Sequence, residues 1–252
     1  MFDYPLIRFD NRHWLELLQA GDFFMRTSLY YQRLDDVDLA RRDPYDGSIP
    51  FPDKSGVIIK LTGKETENQR LMLLNRYVKC FYRCDETNFQ YIGGSIWKVI
   101  FSDESIQEIK NFKVDSAMIL FSPSQFVDQV KRACDQKQER VWVGNVAYLS
   151  GEDMQRKREQ LFENPEIRNE IPFIKRSQFA NQKEFRICVQ HPFTKTETDK
   201  GILDIQESEK DEPYSVPIGR IEDTCIISIE NLIKNGILFD SDTSHYYVSE
   251  DE

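Results

Sequence analysis

The stretch FIKRSQFANQKEFRICV, Phe173 to Val189, changes its periodicity halfway, and that change decides how the chain is built. Phe173, Ile174 and Phe179 recur at helical spacing. From Glu184 onward, charged and apolar residues alternate as in a strand with one buried face. Toward the C-terminus, Gly201 to Ile205, Tyr214 to Ile218 and Cys225 to Ile229 read as further strands. A short helix at Glu230 to Lys234 stops at Asn235-Gly236, and Ile237 to Phe239 follows as one more strand. Strands thus succeed one another without a regular intervening helix. This predicts an α+β class, a mixed and largely antiparallel sheet with several flanking helices, rather than a doubly wound fold.

Upstream, Pro5 to Phe9 reads as a strand. Asp10 is placed to cap a helix carrying Trp14, Leu15, Leu17 and Leu18, and Gly21 to end it. Phe23 to Thr27 reads as a strand and Leu29 to Asp35 as a short helix. The stretch ARRDPYDGS, Ala40 to Ser48, is a turn by its Asp-Pro and Asp-Gly pairs. Val57 to Leu61 and the long apolar run Leu71 to Tyr82 have strand character, and Asp103 to Asn111 is amphipathic. Ala117 to Phe121 is a strand, with Ser122, Pro123 and Gln125 set out as a capping box for the next helix. Val141 to Leu149 reads as one clear strand and Glu152 to Glu163 as a charged helix. Residues 1–240 are expected to form one domain, and 241–252 an acidic, frayed tail.

Of the 252 residues, 40% are hydrophobic, enough for a large core, and the formal charge is -10. A chain of that sign does not coat nucleic acid nonspecifically, since phosphate backbones need a basic field. Five cysteines, an odd number without a CxxC pair, suit reduced thiols in a cytoplasm. No run of about 18 apolar residues occurs, which predicts no transmembrane helix.

Dinucleotide folds, P-loop enzymes, zincins and α/β-hydrolases lack their signatures here, for the chain has no GxGxxG, GxxxxGK[ST], HExxH or GxSxG. Of the three histidines, His13 reads as a surface or packing residue beside Trp14, His191 and His245 have no evident carboxylate or thiol partner in the sequence, and no metal site is expected. The notable residues are charged or aromatic groups on segments otherwise destined for the core: Arg26, Tyr30 and Arg33 early, Asp43 in the turn, and Lys175, Glu184 and Arg186 late. Interleaved in this way, they can pair as a structural lattice. They can equally hold a phosphate-bearing ligand with arginine forks while a glutamate orients a sugar hydroxyl.

The run GDFFMRTSLYYQRLDD followed by RRDPYDGS resembles the opening of a broad set of uncharacterised bacterial and phage proteins. VKCFYRC, RVWVGNVAYL and FIKRSQFANQKEFRICV are similar to later strands of that set, in the same order. The resemblance implies an intracellular protein of bacterium–phage conflict, in an abortive-infection or anti-defence setting. More distantly, an early Arg-bearing strand, a Tyr-bearing segment and a late strand led by Glu are similar in plan to ADP-ribosyltransferases. That likeness implies NAD as ligand, with Arg26 on the diphosphate, Tyr30 or Tyr31 on nicotinamide and Glu184 as the catalytic carboxylate. Arg33, Asp43, Lys175 and Arg186 would complete the binding set.

Two functions follow as expectations. One is a cytoplasmic protein that binds NAD or a related nucleotide and transfers ADP-ribose or senses the nucleotide. The alternative is a non-enzymatic acidic protein whose clusters at Glu207 to Glu212 and in the terminal SEDE engage a basic site on a protein partner.

Overall fold

The computed structural model describes residues 4–34, 48–52, 69–73, 76–190 and 212–248. In chain order the first half comprises β1 (Leu6–Asp10), α1 (Arg12–Gln19), β2 (Asp22–Thr27), α2 (Ser28–Arg33), β3 (Ser48–Pro52), β4 (Gln69–Leu73), β5 (Tyr77–Arg83), β6 (Phe89–Gly93), β7 (Ile96–Val99), α3 (Asp103–Asn111) and β8 (Ser116–Leu120). The second half comprises α4 (Pro123–Gln136), β9 (Arg140–Asn145), β10 (Ala147–Leu149), α5 (Gly151–Glu163), β11 (Ile174–Arg176), β12 (Glu184–Gln190), β13 (Tyr214–Pro217), β14 (Thr224–Ser228), α6 (Ile229–Asn235), β15 (Ile237–Asp240) and β16 (His245–Val248). The class is α+β, and the sheets are mostly antiparallel.

The main sheet is built around β5. One edge of β5 pairs with β12 from Tyr77 to Tyr82, and β12 in turn pairs with β9. The other edge is shared: β2 meets it at Tyr77 and Val78, and β1 meets it at Tyr82 and Arg83. From there β1 continues to β8 and β14, while β2 continues to β13. A separate sheet runs β16-β15-β7-β6, and β10 with β11 forms a short parallel ribbon.

Alternation along the strands separates two cores. Phe81, Ile187, Val189, Phe23 and Met25 pack against Leu15 and Leu18 of α1 and Phe126 and Val130 of α4. Ile7, Phe9, Tyr82 and Ile119 join Ile109 of α3 and Leu232 of α6. Each such fully buried side chain contributes about 1.5–3 kcal/mol relative to exposure, so these two layers dominate the stability. The α1–β2 junction is closed by Gly21, whose φ of +104° admits no ordinary side chain. A Cβ there would lie 2.4 Å from the Gly219 carbonyl oxygen.

Several local expectations are corrected. The helical spacing of Phe173, Ile174 and Phe179 does not make a helix. Pro172 cannot continue an α-helix, so a 3-10 stretch ends at Phe173; Ile174–Arg176 then pairs as a strand with Ala147–Leu149, and Ser177–Gln182 forms a 3-10 turn. Phe179 lies beside the Lys175 and Arg176 side chains, with 5.0 and 5.4 Å between its ring centre and their charged groups. Val141 to Leu149 is not one strand, because it breaks at the buried Val146 between two sheets. Ser122 makes no capping hydrogen bond to its helix, and its hydroxyl is bound to Asp223 instead. Asp10 does not cap α1, for it pairs with Arg8 at 2.8 Å while Asn11 takes the cap position.

The tail expected to fray from residue 241 carries β16, which pairs with β15 because Tyr246 and Val248 find apolar partners in the second core. The strands read at Val57 to Leu61 and Gly201 to Ile205, and residues 40–47 of the turn, lie outside the described residues.

Candidate functional site

A cavity of about 300 Å³ opens beside the divided edge of β5. Five of the residues singled out in the sequence line it: Arg26, Tyr30, Lys175, Glu184 and Arg186. The fold thus brings together groups that lie as far apart as β2 and β12. Arg33 lies at the end of α2, and nothing further is described of its side chain; Asp43 lies outside the described residues.

The early wall is aromatic and cationic. Arg26 ends up there because β2 alternates, sending Phe23, Met25 and Thr27 inward and leaving Phe24 and Arg26 partly exposed. Thr27 then caps α2 by accepting from the Tyr30 amide at 3.2 Å, which fixes the tyrosine one turn beyond the strand. The Arg26 guanidinium carbon lies 4.7 Å from the centre of the Tyr30 ring and 5.3 Å from that of Phe24. These are cation–π distances.

The late wall is ionic and closed. Glu184 and Arg186 lie on the same face of β12, two residues apart. Lys175 Nζ donates to Glu184 Oε1 at 2.5 Å and to Gln182 Oε1 at 2.9 Å. Arg186 donates from Nε to Glu184 Oε2 at 2.7 Å and from Nη1 to the Pro172 carbonyl at 2.7 Å. Arg186 is fully buried, and Lys175 and Glu184 are buried too. Burial opposes ionisation of Glu184, but Arg186 and Lys175 outweigh it and hold its carboxyl at about 2. The amide of Glu184 donates to Tyr148 Oη at 2.8 Å, and burial together with Glu184 raises the phenol above its ordinary range.

This geometry limits the chemistry of Glu184. A carboxylate that titrates near 2 is far from the range of a general base at neutral pH. Its two oxygens offer about four acceptor positions, and the cations take two, so it can still accept a hydroxyl. It is an ionised, immobile acceptor.

Sequence reasoning passed over Arg8, Lys79, Tyr82 and Ser105, which also line the cavity. Their signal was present in LIRFD and YVKCFYR, where one cation interrupts an apolar strand. Asn88 donates to Tyr82 Oη at 3.2 Å and to the Ile100 carbonyl at 2.9 Å, tying this cavity residue to the segment just after β7. Among the described lining residues, five basic side chains stand against four acidic ones, so the cavity is not acidic although the chain is.

Other sequence candidates do not join the site. His13 packs beside Trp14, His245 is on β16, and His191 lies outside the described residues. None of the five cysteines is in a disulfide, and among the described residues no three His, Cys, Asp or Glu side chains are grouped to hold a metal. No helix of the described residues is long and apolar enough to cross a membrane. Most of the acidic cluster at 207–212 and all of the terminal SEDE lie outside the described residues.

No family model, curated protein or solved structure matches the chain.

Proposed function

We propose that this cavity binds NAD or a related nucleotide and supports ADP-ribosyl transfer. One observation carries the proposal: residues from β2, α2, β11 and β12 meet around a single cavity that presents a cation, aromatic rings and a fixed carboxylate together. Those are the three contacts a nucleotide asks for, namely charge for phosphate, a ring for stacking and an acceptor for a ribose hydroxyl. A volume of about 300 Å³ is at the lower end for small-molecule sites and suits a mononucleotide portion of the ligand.

In this reading Arg26 meets the phosphate, and Tyr30 or Tyr31 stacks on the base. Glu184 accepts from a ribose hydroxyl, while Lys175 and Arg186 keep it ionised and in one orientation. NAD, when bound, would supply the activated glycosidic bond. The low titration of Glu184 assigns it to holding and charge stabilisation rather than proton removal. The setting of bacterium–phage conflict is supported by the sequence resemblance alone.

The test is a thermal-shift and calorimetric titration with NAD, ADP-ribose and ATP on the wild type, Arg26→Gln and Tyr30→Ala. Both changes fall on half-buried residues of the early wall, which leaves the buried triad intact. A ligand at about 100 times its dissociation constant adds about 2.7 kcal/mol of stability. The shift should be present in the wild type and lost in both folded variants. No shift with any of the three at about millimolar concentration overturns the proposal.

A further inference from the structure

The divided edge of β5 leaves a gap. Between the pairing to β2 at Val78 and the pairing to β1 at Tyr82, residues Lys79, Cys80 and Phe81 are met by neither strand. Arg8 reaches across this gap from β1: Nη1 donates to the Cys80 carbonyl at 2.9 Å and Nη2 to Asp10 at 2.8 Å. Its Nε is buried and has no acceptor among the described residues.

Lys79 stands beside it. Only 7% of the residue is exposed, and it lines the same cavity. Its ammonium has no hydrogen-bond or ion-pair partner among the described residues. A lysine so largely buried, with Asp10 and Asp22 acting on its charge but no hydrogen-bond acceptor on its ammonium among the described residues, is costly to a fold, since buried polar groups otherwise find acceptors. Two adjacent cationic side chains with unfilled donors, both lining one cavity, are explained if a ligand supplies the acceptors.

We infer that Lys79 and Arg8 form an anion subsite at the fork of the sheet, which takes a phosphate-type oxyanion. The three ammonium hydrogens of Lys79, with the Arg8 guanidinium as a second positive charge lining the same cavity, suit a group that offers several acceptor oxygens. The charged and titratable groups facing Lys79 are Arg8 and Asp10 on β1, Asp22 on β2 and Cys80 beside it on β5. Burial first, and Arg8 second, push the Lys79 amine down to about 7, with the two aspartates acting against them. An arriving anion reverses that balance and holds the amine protonated. The inference rests on the nucleotide proposal only for the source of the phosphate.

The experiment uses sulfate as probe, because its charge does not change across the pH range of interest. Sulfate is titrated into the wild type and Lys79→Met, with binding followed by calorimetry and thermal shift. Sulfate's general stabilising effect on folded proteins is common to both chains and cancels in the comparison. Without anion, Lys79→Met should melt above the wild type, since an apolar chain of similar length replaces a largely buried lysine whose charge is poorly compensated. The wild type should bind sulfate at about pH 6, with affinity falling about tenfold per pH unit above about pH 7, as Lys79 must be protonated to bind. Lys79→Met should bind at least about tenfold more weakly at pH 6 and lack that pH dependence. Cys80 is present in both, so its titration does not separate them.

Equal sulfate binding by the two chains, or a wild-type response no larger than that of Lys79→Met, overturns the inference. Lys79→Gln serves if the methionine chain does not fold. Inorganic phosphate, ADP-ribose and adenosine then identify the source. Lys79-dependent binding of sulfate and inorganic phosphate without nucleotide binding keeps the subsite and removes the nucleotide proposal. NAD binding and sulfate binding that are both equal in the two chains keep the nucleotide proposal and remove the subsite.

Discussion

Arg186 Nε and Glu184 Oε2 meet at 2.7 Å on one face of β12, and none of the Arg186 side chain is exposed. A pair so deeply buried is a demanding feature. Its desolvation cost is offset only while every partner is present, and removing one leaves a charge stranded.

Glu184→Gln should therefore destabilise the fold by about 3–5 kcal/mol, since Lys175 and Arg186 lose their shared counter-ion. Urea denaturation reads this directly. A loss below about 1 kcal/mol would show that the triad is well hydrated. The same carboxyl predicts an acid limb. Its folded-state value of about 2 lies below the ordinary 4.5, so the stability it contributes is complete above 4.5 and is lost as pH falls from 4.5 through about 2.

Lys79 predicts the opposite limb. The amine titrates near 7 in the fold against an ordinary 10.5, so between those values the unfolded chain binds more protons than the folded one. Stability from this group accordingly rises as pH increases from about 7 toward 10.5. Urea midpoints of the wild type relative to Lys79→Met, followed over that window, should climb; a flat difference would mean that Lys79 stays hydrated.

Gly21→Ala should cost about 3 kcal/mol or more, because it combines a disfavoured φ with a methyl placed against backbone that cannot yield. The methyl would meet the Gly219 carbonyl at 2.4 Å. Thermal unfolding within a degree or two of the wild type would show that the two loops separate easily.

Thiol labelling offers a view of the cavity itself. Cys84, Cys134 and Cys188 are buried, and burial with Asp223 pushes the Cys225 thiol up to about 11. Cys80 is partly exposed and lines the cavity. A maleimide should modify Cys80 ahead of the buried three, and a bound nucleotide or sulfate should slow it, as peptide mass spectrometry would show.

Much of the element order was legible because local pattern and tertiary burial agree there. Asp103–Asn111 has the amphipathic spacing read in the sequence, and in the structure Ser102 caps it by accepting from the Ser105 amide. The reading failed where tertiary pairing overruled spacing. Phe173, Ile174 and Phe179 have helical intervals, yet Pro172 and the ribbon with β10 impose an extended path. Arg26, Tyr30, Lys175, Glu184 and Arg186 could be picked out as polar groups on core segments. Lys79 and Arg8 were passed over, because a single cation in a strand looks like the outward half of an alternating pattern. Only the shared edge of β5 shows that both positions face inward.

That shared edge also gives the sheet a mechanical character. β1 with β8 and β14 makes one panel, β2 with β13 makes another, and within the sheet the two are hinged through the ends of a single strand. Each panel supplies one wall of the cavity, Arg8 and Phe9 from the first, Phe24 and Arg26 from the second. Whatever fills that space is a stitch between two leaves that already share one core, so occupancy should be felt as added cooperativity of unfolding.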